Sequence, residues 1–277
     1  MPLKRPVYIK LDARKLTAAD YHRIVPLRLY KYRAANDFFF NMLETGSLWF
    51  SRPADFNDPF DCRLKLNLGN DKKNLEANLV KAGLMPKFTN AVLRKNHRKM
   101  MSDPVYYNRF MTMLHHYVIN SRLSVCCFAE NPDNLLLWAH YAASHTGVCL
   151  DFSMHRKGFM YANLLPVQYK YRYPVFDIRK FGNEPRIFYA MHQHAVCTKS
   201  LHWEYEREWR VVLDEPAGAK PFEKSHLRRI IFGVNTPANI VAQTRRLLRK
   251  NGYAHTRLAL CVMKENSFGI SIQPLQP

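Results

Sequence analysis

The 277-residue sequence predicts an α+β fold: a single compact domain around a mixed sheet, with a basic helical insertion and a C-terminal strand–helix–strand unit. Three observations predict it. Strand-like and helix-like stretches alternate without a strict repeat, which points to α+β or mixed α/β. Apolar residues make up 47% and aromatics 13%, enough to fill a core of this size. The cleanest local signal falls in the last third, while residues 62–123 read as helical and basic.

In chain order, Leu29–Tyr32 reads as a short strand. Asn36 caps a helix running to about Glu44, and Gly46 ends it in the left-handed conformation that glycine tolerates. Leu48–Ser51 is a second strand. Pro53–Asp61 is a turn-rich loop, because Pro and Asx side chains disfavour continued strand. Residues 71–122 look mainly helical. Ser124–Ala129 is a strand, and Asp133 or Asn134 caps a helix from Leu135 to about Ser144, before Gly147. Val148, Leu150 and Phe152 alternate with Cys149 and Asp151, as in a half-buried strand. Trp209–Leu213 and Arg229–Gly233 are strands. Thr236 reads as an N-cap with Pro237 at the first helical position, and Gly252 stops that helix. Leu258–Met263 and Gly269–Ile272 complete the set. The division expected is one domain over 1–277, with sheet-bearing parts at 28–61 and 124–277 and the insertion at 62–123.

Composition excludes several classes. The apolar content is too high for a disordered basic tail, and ten glycines are too few for a collagen-like fibre. No stretch approaches the roughly 18 apolar residues of a membrane span, so no membrane association is expected. The start, MPLKRPVYIKLDARK, has basic residues but no apolar centre, so no secretory signal is expected. The six cysteines lack a Cys-x-x-Cys pair and sit mostly in apolar runs. That usage points to reduced thiols and a cytoplasmic location.

Formal net charge is +20, unevenly spread. Residues 62–123 carry +9, 154–202 carry +6 and 217–257 carry +8, whereas 124–153 and 203–216 each carry −3. Basic surroundings and acidic islands together point to a carboxylate-bearing pocket for a phosphate-containing ligand, or to a surface for nucleic acid.

Three constellations carry possible chemistry. LYKYR (29–33) with LWFSRPADFNDPFD (48–61) offers Tyr30, Lys31, Arg33 and Ser51, then Asn57, Asp58 and Asp61. These give a charged pocket lined by Tyr30, Trp49 and Phe50, or an Asx–Pro turn whose side chains satisfy backbone donors, with Arg33 paired to one aspartate. NLLLWAHYAASHTGVCLDF (134–152) offers Trp138 and Tyr141 on one helix face, His140 off it, and His145 near the helix end. WEYEREWRVV (203–212) alternates Glu204, Glu206 and Glu208 before Arg210. If extended, the segment sets all three carboxylates on one side, and such a cluster requires a cation from Arg210, Lys31 or Arg33. Which glutamate faces the pocket stays open. His115–His116 and His192-x-His194 lack the spacing of a zinc motif, so no metal is assigned.

As an ordered set, LYKYR, LWFSRPADFNDPFD, CCFAE (126–130), LLLWAHYAASHTGVCLDF and WEYEREWR resemble the bacterial "domain of unknown function 2971" family, over about residues 28–235. That resemblance implies a unified fold and a pocket, without a reaction. More distantly, a basic first-strand residue followed by a serine and a pre-strand glutamate resembles the order of parts in ADP-ribosyltransferases. That likeness implies Lys31 or Arg33, then Ser51, then Glu206 or Glu208, acting on NAD. A carboxylate near the ribose would stabilise the oxocarbenium-like transition state of nicotinamide–ribose cleavage. Two other readings stand beside it. One is a phosphodiesterase or nuclease using His140 or His145 with Asp58 and Asp61. The other is a non-catalytic module that holds nucleic acid through its phosphates.

Overall fold

The computed structural model describes residues 22–69, 72–81, 91–180 and 187–276. The stretch at the start that was read for a secretory signal, and residues 82–90 of the expected helical segment, lie outside them. In order the elements are β1 (Arg28–Arg33), α1 (Asp37–Thr45), β2 (Ser47–Phe50), β3 (Lys65–Asn67), α2 (Lys72–Lys81), α3 (Ala91–Met101) and α4 (Pro104–Arg122). Then follow β4 (Ser124–Ala129), α5 (Leu135–Tyr141), β5 (Val148–Ser153), α6 (Phe159–Ala162), β6 (Leu164–Pro166), β7 (Gln168–Lys170) and β8 (Val175–Asp177). The rest are α7 (Ile187–Val196), β9 (Thr198–Ser200), β10 (Glu208–Leu213), β11 (Gly218–Pro221), β12 (Leu227–Phe232), α8 (Ala238–Lys250), β13 (Arg257–Met263) and β14 (Ile270–Pro274). This is an α+β fold.

Eight strands form one mixed sheet in the order β14-β13-β12-β5-β1-β4-β10-β6. Only β12 and β13 run parallel within it, joined by α8 as the crossover helix that parallel neighbours require. β1 pairs along its whole length with β5, from Arg28 opposite Ser153 to Arg33 opposite Val148. β4 pairs with β10, setting Arg210 opposite Cys127 and Glu208 opposite Ala129.

Both faces of the sheet are covered, which explains why β5 is buried almost throughout rather than half-buried. Leu150 and Phe152 join a core with Phe39, Leu43, Leu247 and Leu248 of α1 and α8. Cys149 faces the other side, in a core with Trp138 of α5, Tyr30, Tyr32 and Ile231. Asp151 on that side is fully buried and paired with Arg28 and Arg229, the latter at 3.2 Å. A third core beneath α3, α4 and α7 gathers Leu64, Leu68, Met101, Tyr107, Ile119 and Val196. β3 ties this region to β8 in a separate two-stranded parallel sheet.

The helix signals were mostly placed correctly. The Asn36 side chain accepts from the Phe39 amide, and Gly46 sits at φ +68 with its amide on the Met42 carbonyl. The α5 cap is Asn134, whose side chain accepts from the Leu136 and Leu137 amides. That helix ends sooner than its pattern suggested: Ala143, Ser144 and His145 all take positive φ, and the Ser144 and His145 amides donate back to the Ala139 and Trp138 carbonyls. At α8 the expected cap is shifted. Pro237 occupies the N-cap, and the Thr236 hydroxyl donates instead to the Gly147 carbonyl at 2.8 Å.

That handoff brings two glycines against backbone. A Cβ on Gly233 would lie 2.1 Å from the His145 carbonyl oxygen, and one on Gly147 would lie 2.4 Å from that of Arg33. Gly233→Ala should therefore destabilise the chain by about 1–3 kcal/mol, the range for forced overpacking. Urea unfolding measures it, and an unchanged midpoint would mean that the His145 turn simply yields.

Candidate functional site

β1, β4 and β10 lie side by side, and their ends form the floor of a cavity of about 310 Å³. Tyr30, Lys31 and Tyr32 come from β1, Cys127, Phe128 and Ala129 from β4, and Glu208 and Arg210 from β10. Leu137 and Tyr141 of α5 form one wall, and Asp55, Phe56, Asn57 and Asp61 of the turn-rich loop another. Lys199 of β9 and Glu206 complete the lining.

Glu208 and Arg210 are two apart on a strand, so their side chains share a face. Arg210 has no exposed side-chain surface. Its Nε and Nη2 donate to the Glu208 carboxylate at 2.7 and 3.1 Å, and its Nη1 and Nη2 donate to Asp61 at 2.9 and 2.6 Å. Nη1 also donates to the Val196 carbonyl at 2.5 Å, and Phe56 stacks over the guanidinium. This is the paired-fork geometry for which arginine is suited and lysine is not.

Lys199, almost wholly buried, is the second cation. Its Nζ donates to Glu206 at 2.5 Å and to Glu208 at 3.0 Å, and lies 3.8 Å from Asp61. The Trp203 ring lies 5.0 Å from the ammonium. Burial alone would lower the Lys199 pKa, but Glu208 and Glu206 reverse this and hold it above the usual lysine range. Burial would likewise raise Glu208, but Arg210 and Lys199 overcome it and hold the carboxyl well below the usual range.

Glu206 differs. Burial raises its pKa, and Lys199 only partly opposes that while Glu208 adds to it. Its Oε1 accepts from the Tyr141 hydroxyl at 2.8 Å, and the Asn57 amide approaches that hydroxyl at 3.4 Å. Two cations thus face three buried carboxylates, and Glu206 is the one that Arg210 does not clasp. Lys31, whose ammonium donates to the Cys127 carbonyl at 3.1 Å, adds a cation to the rim.

The ionic network carries a pH signature. Glu208, with a depressed folded pKa, contributes stability that is complete above the unfolded value of about 4.3 and lost as pH falls below it. Lys199, with a raised pKa, contributes stability that is complete below about 10.4 and lost as pH rises beyond it. Urea midpoints should therefore fall toward both extremes. A midpoint constant down to pH of about 3 would exclude an ionised Glu208.

Several expected residues converge: Tyr30, Lys31, Asn57, Asp61, Tyr141, Glu206, Glu208 and Arg210 all line the cavity. Others are placed differently. WEYERE is not extended. Leu201–Glu206 is a 3-10 helix, and Arg207 at φ +44 turns the chain into β10. Glu204, half-buried, stays outside the cavity lining, while the turn brings Glu206 and Glu208 to the same lysine. Arg210 lines the cavity, with its guanidinium donating to Glu208, Asp61 and the Val196 carbonyl. Arg33 lies outside the lining, and burial lowers its pKa. Ser51 is engaged by its backbone with Val125. Asp58 accepts from the Trp203 indole at 2.7 Å and from the Phe60 amide. Trp138 is core, its indole donating to the Pro132 carbonyl. His140 is exposed and edge-on to Trp203. His145 stacks on Trp138 and borders a different cleft with Asn235 and Phe268.

Lys199 was missed, as were Tyr32, Phe56 and Phe128. The signal for Lys199 was indirect: three closely spaced glutamates required a buried cation, and CTKS lies just upstream.

Residues 137–211 match the model of a family described as "Protein of unknown function (DUF2971)". The match spans about a quarter of the chain. It contributes Leu137, Tyr141, Lys199, Glu206, Glu208 and Arg210, the side of the cavity that holds both cations of the network. β1, the loop with Asp61 and β4 precede the DUF2971 segment and supply the rest. No curated protein and no solved structure matches the chain.

The thiols near the ionic network are unsuited to nucleophilic work. Burial pushes Cys197 up to about 12 and raises Cys62 and Cys127 well above the usual thiol range. All six cysteines are unpaired. Among the described residues no group of three or more His, Cys, Asp or Glu is arranged to hold a metal ion, and no helix is long and apolar enough to cross a membrane.

Proposed function

We propose that the cavity is a catalytic site for transfer or hydrolysis at the ribose of a nucleotide such as NAD, with Glu206 as the acting carboxylate. The observation that carries this reading is the division of labour among the three acids. Asp61 and Glu208 are clasped by Arg210, whereas Glu206 faces the cavity with a raised pKa and a hydroxyl donor on its Oε1. Cleaving a ribosyl bond builds positive charge on the sugar, and a carboxylate held in a dry site stabilises that charge most effectively.

The remaining lining fits such a ligand. Tyr30, Tyr32, Phe56, Phe128 and Tyr141 offer aromatic surface for a nicotinamide or adenine ring, and Lys31 offers the rim cation for a phosphate. Of the ADP-ribosyltransferase-like parts, the first-strand base is then Lys31 and the glutamate Glu206, with no serine from Ser51. The phosphodiesterase reading loses support, because Asp61 belongs to Arg210 and His145 to another cleft.

Isothermal titration with NAD, followed by an assay for released nicotinamide, tests the reading. Saturable binding with slow nicotinamide release is expected. Absence of binding at millimolar NAD by a folded chain would remove it.

A further inference from the structure

Away from the cavity, polar atoms collect where α4 meets α7. His115 is 4% exposed, and among the described residues neither of its ring nitrogens has a hydrogen-bond partner. The Nε2 of His192 is likewise buried and unpartnered. A buried imidazole without a protein partner is unfavourable until an ordered water or an ion satisfies it. The two rings stand 5.3 Å apart between centroids, tilted by 39°. Two imidazoles on one tetrahedral ion, with metal–nitrogen bonds of about 2.0–2.1 Å, put their centroids about 5 Å apart. A direct ring-to-ring hydrogen bond is not formed at this spacing.

We propose that His115 and His192 form a two-imidazole clip for a divalent transition-metal ion of the zinc type, joining α4 to α7. Imidazole nitrogen is the donor that zinc and its neighbours accept, in preference to magnesium or calcium. With two protein ligands, water fills the other positions. The surroundings are mixed in charge. His116 neighbours His115 on α4 but bonds to the Leu64 backbone. Asp214 and Arg122 both act on His192 and pair with each other at 2.8 Å on the exposed rim. Asp214 is the nearby carboxylate that a bound cation would draw from Arg122. The clip is independent of the cavity and of the function proposed for it.

The test uses the tag-free full chain, stripped by a chelator and titrated with Zn²⁺ by calorimetry, with Co²⁺ absorption as a second readout. One equivalent of Zn²⁺ is expected, with a rise in melting temperature. His192→Asn should weaken binding by more than the roughly 10–100-fold that loss of an outer partner costs. A His155→Asn/His226→Asn variant, removing a stacked pair outside the clip, should bind as the parent does. Sub-stoichiometric binding, or unchanged affinity in His192→Asn, would overturn the proposal. If the variants fail to fold, histidine ring nitrogen shifts in the parent chain on adding Zn²⁺ decide it, and unmoved signals overturn it too.

Discussion

Arg210→Met is expected to remove about 3–5 kcal/mol of folding stability, the cost of stranding buried charge. The residue has no exposed side-chain surface and answers two carboxylates and a carbonyl at once. Methionine would fill much of the volume but leave Asp61 and Glu208 with only Lys199 between them. Against a typical stability of about 5–15 kcal/mol, that loss is large. Arg210→Lys should recover only part of it, because a single ammonium cannot reach both forks. The informative comparison adds Asp61→Asn and Glu208→Gln to Arg210→Met. Removing the stranded charges should return stability, although it deletes more interactions. Urea unfolding reads all of these, and an Arg210→Met chain within about 1 kcal/mol of its parent would disprove the network's role.

Glu206→Gln is expected to lower ribosyl cleavage by about 100- to 1,000-fold, the scale for losing one preorganised electrostatic group. KM should change little, since the amide keeps the shape and can still accept from Tyr141. Stability should hold or improve, because Glu206 is the acid in excess over the two cations. Tyr141→Phe separates positioning from chemistry. The hydroxyl donates to Glu206 and favours its ionised form. Its loss should shift the acid limb of the pH–rate profile to higher pH. An unmoved limb would assign that ionisation to another group, and a Glu206→Gln enzyme as fast as its parent would end the catalytic reading.

Local rules made much of the framework legible. Asn36 and Gly46 bound α1 as capping chemistry requires, and β4 spans the stretch read from Ser124 to Ala129. Short pieces such as β3, β7 and β9 were invisible, since three residues carry no period. The candidate site was legible as a list of residues and less so as geometry. Glu206 and Glu208 meet because Arg207 takes a left-handed turn, whereas an extended strand would have aligned Glu204 with them. Lys199 sits in no motif, and only the charge balance of the folded cluster identifies it. Trp138 looked like a ligand platform because an aromatic on a helix face reads the same whether it meets a substrate or a sheet.

The central position of β1 bears on synthesis. Its partners begin at Ser124 and Val148, so Tyr30, Lys31 and Tyr32 leave the ribosome long before any strand exists to receive them. At about 5–20 residues per second the wait is on the order of ten seconds. The cavity closes only after Arg210 has emerged. A nascent or truncated chain that stops short of that residue therefore lacks the cation that closes the ionic network of the cavity.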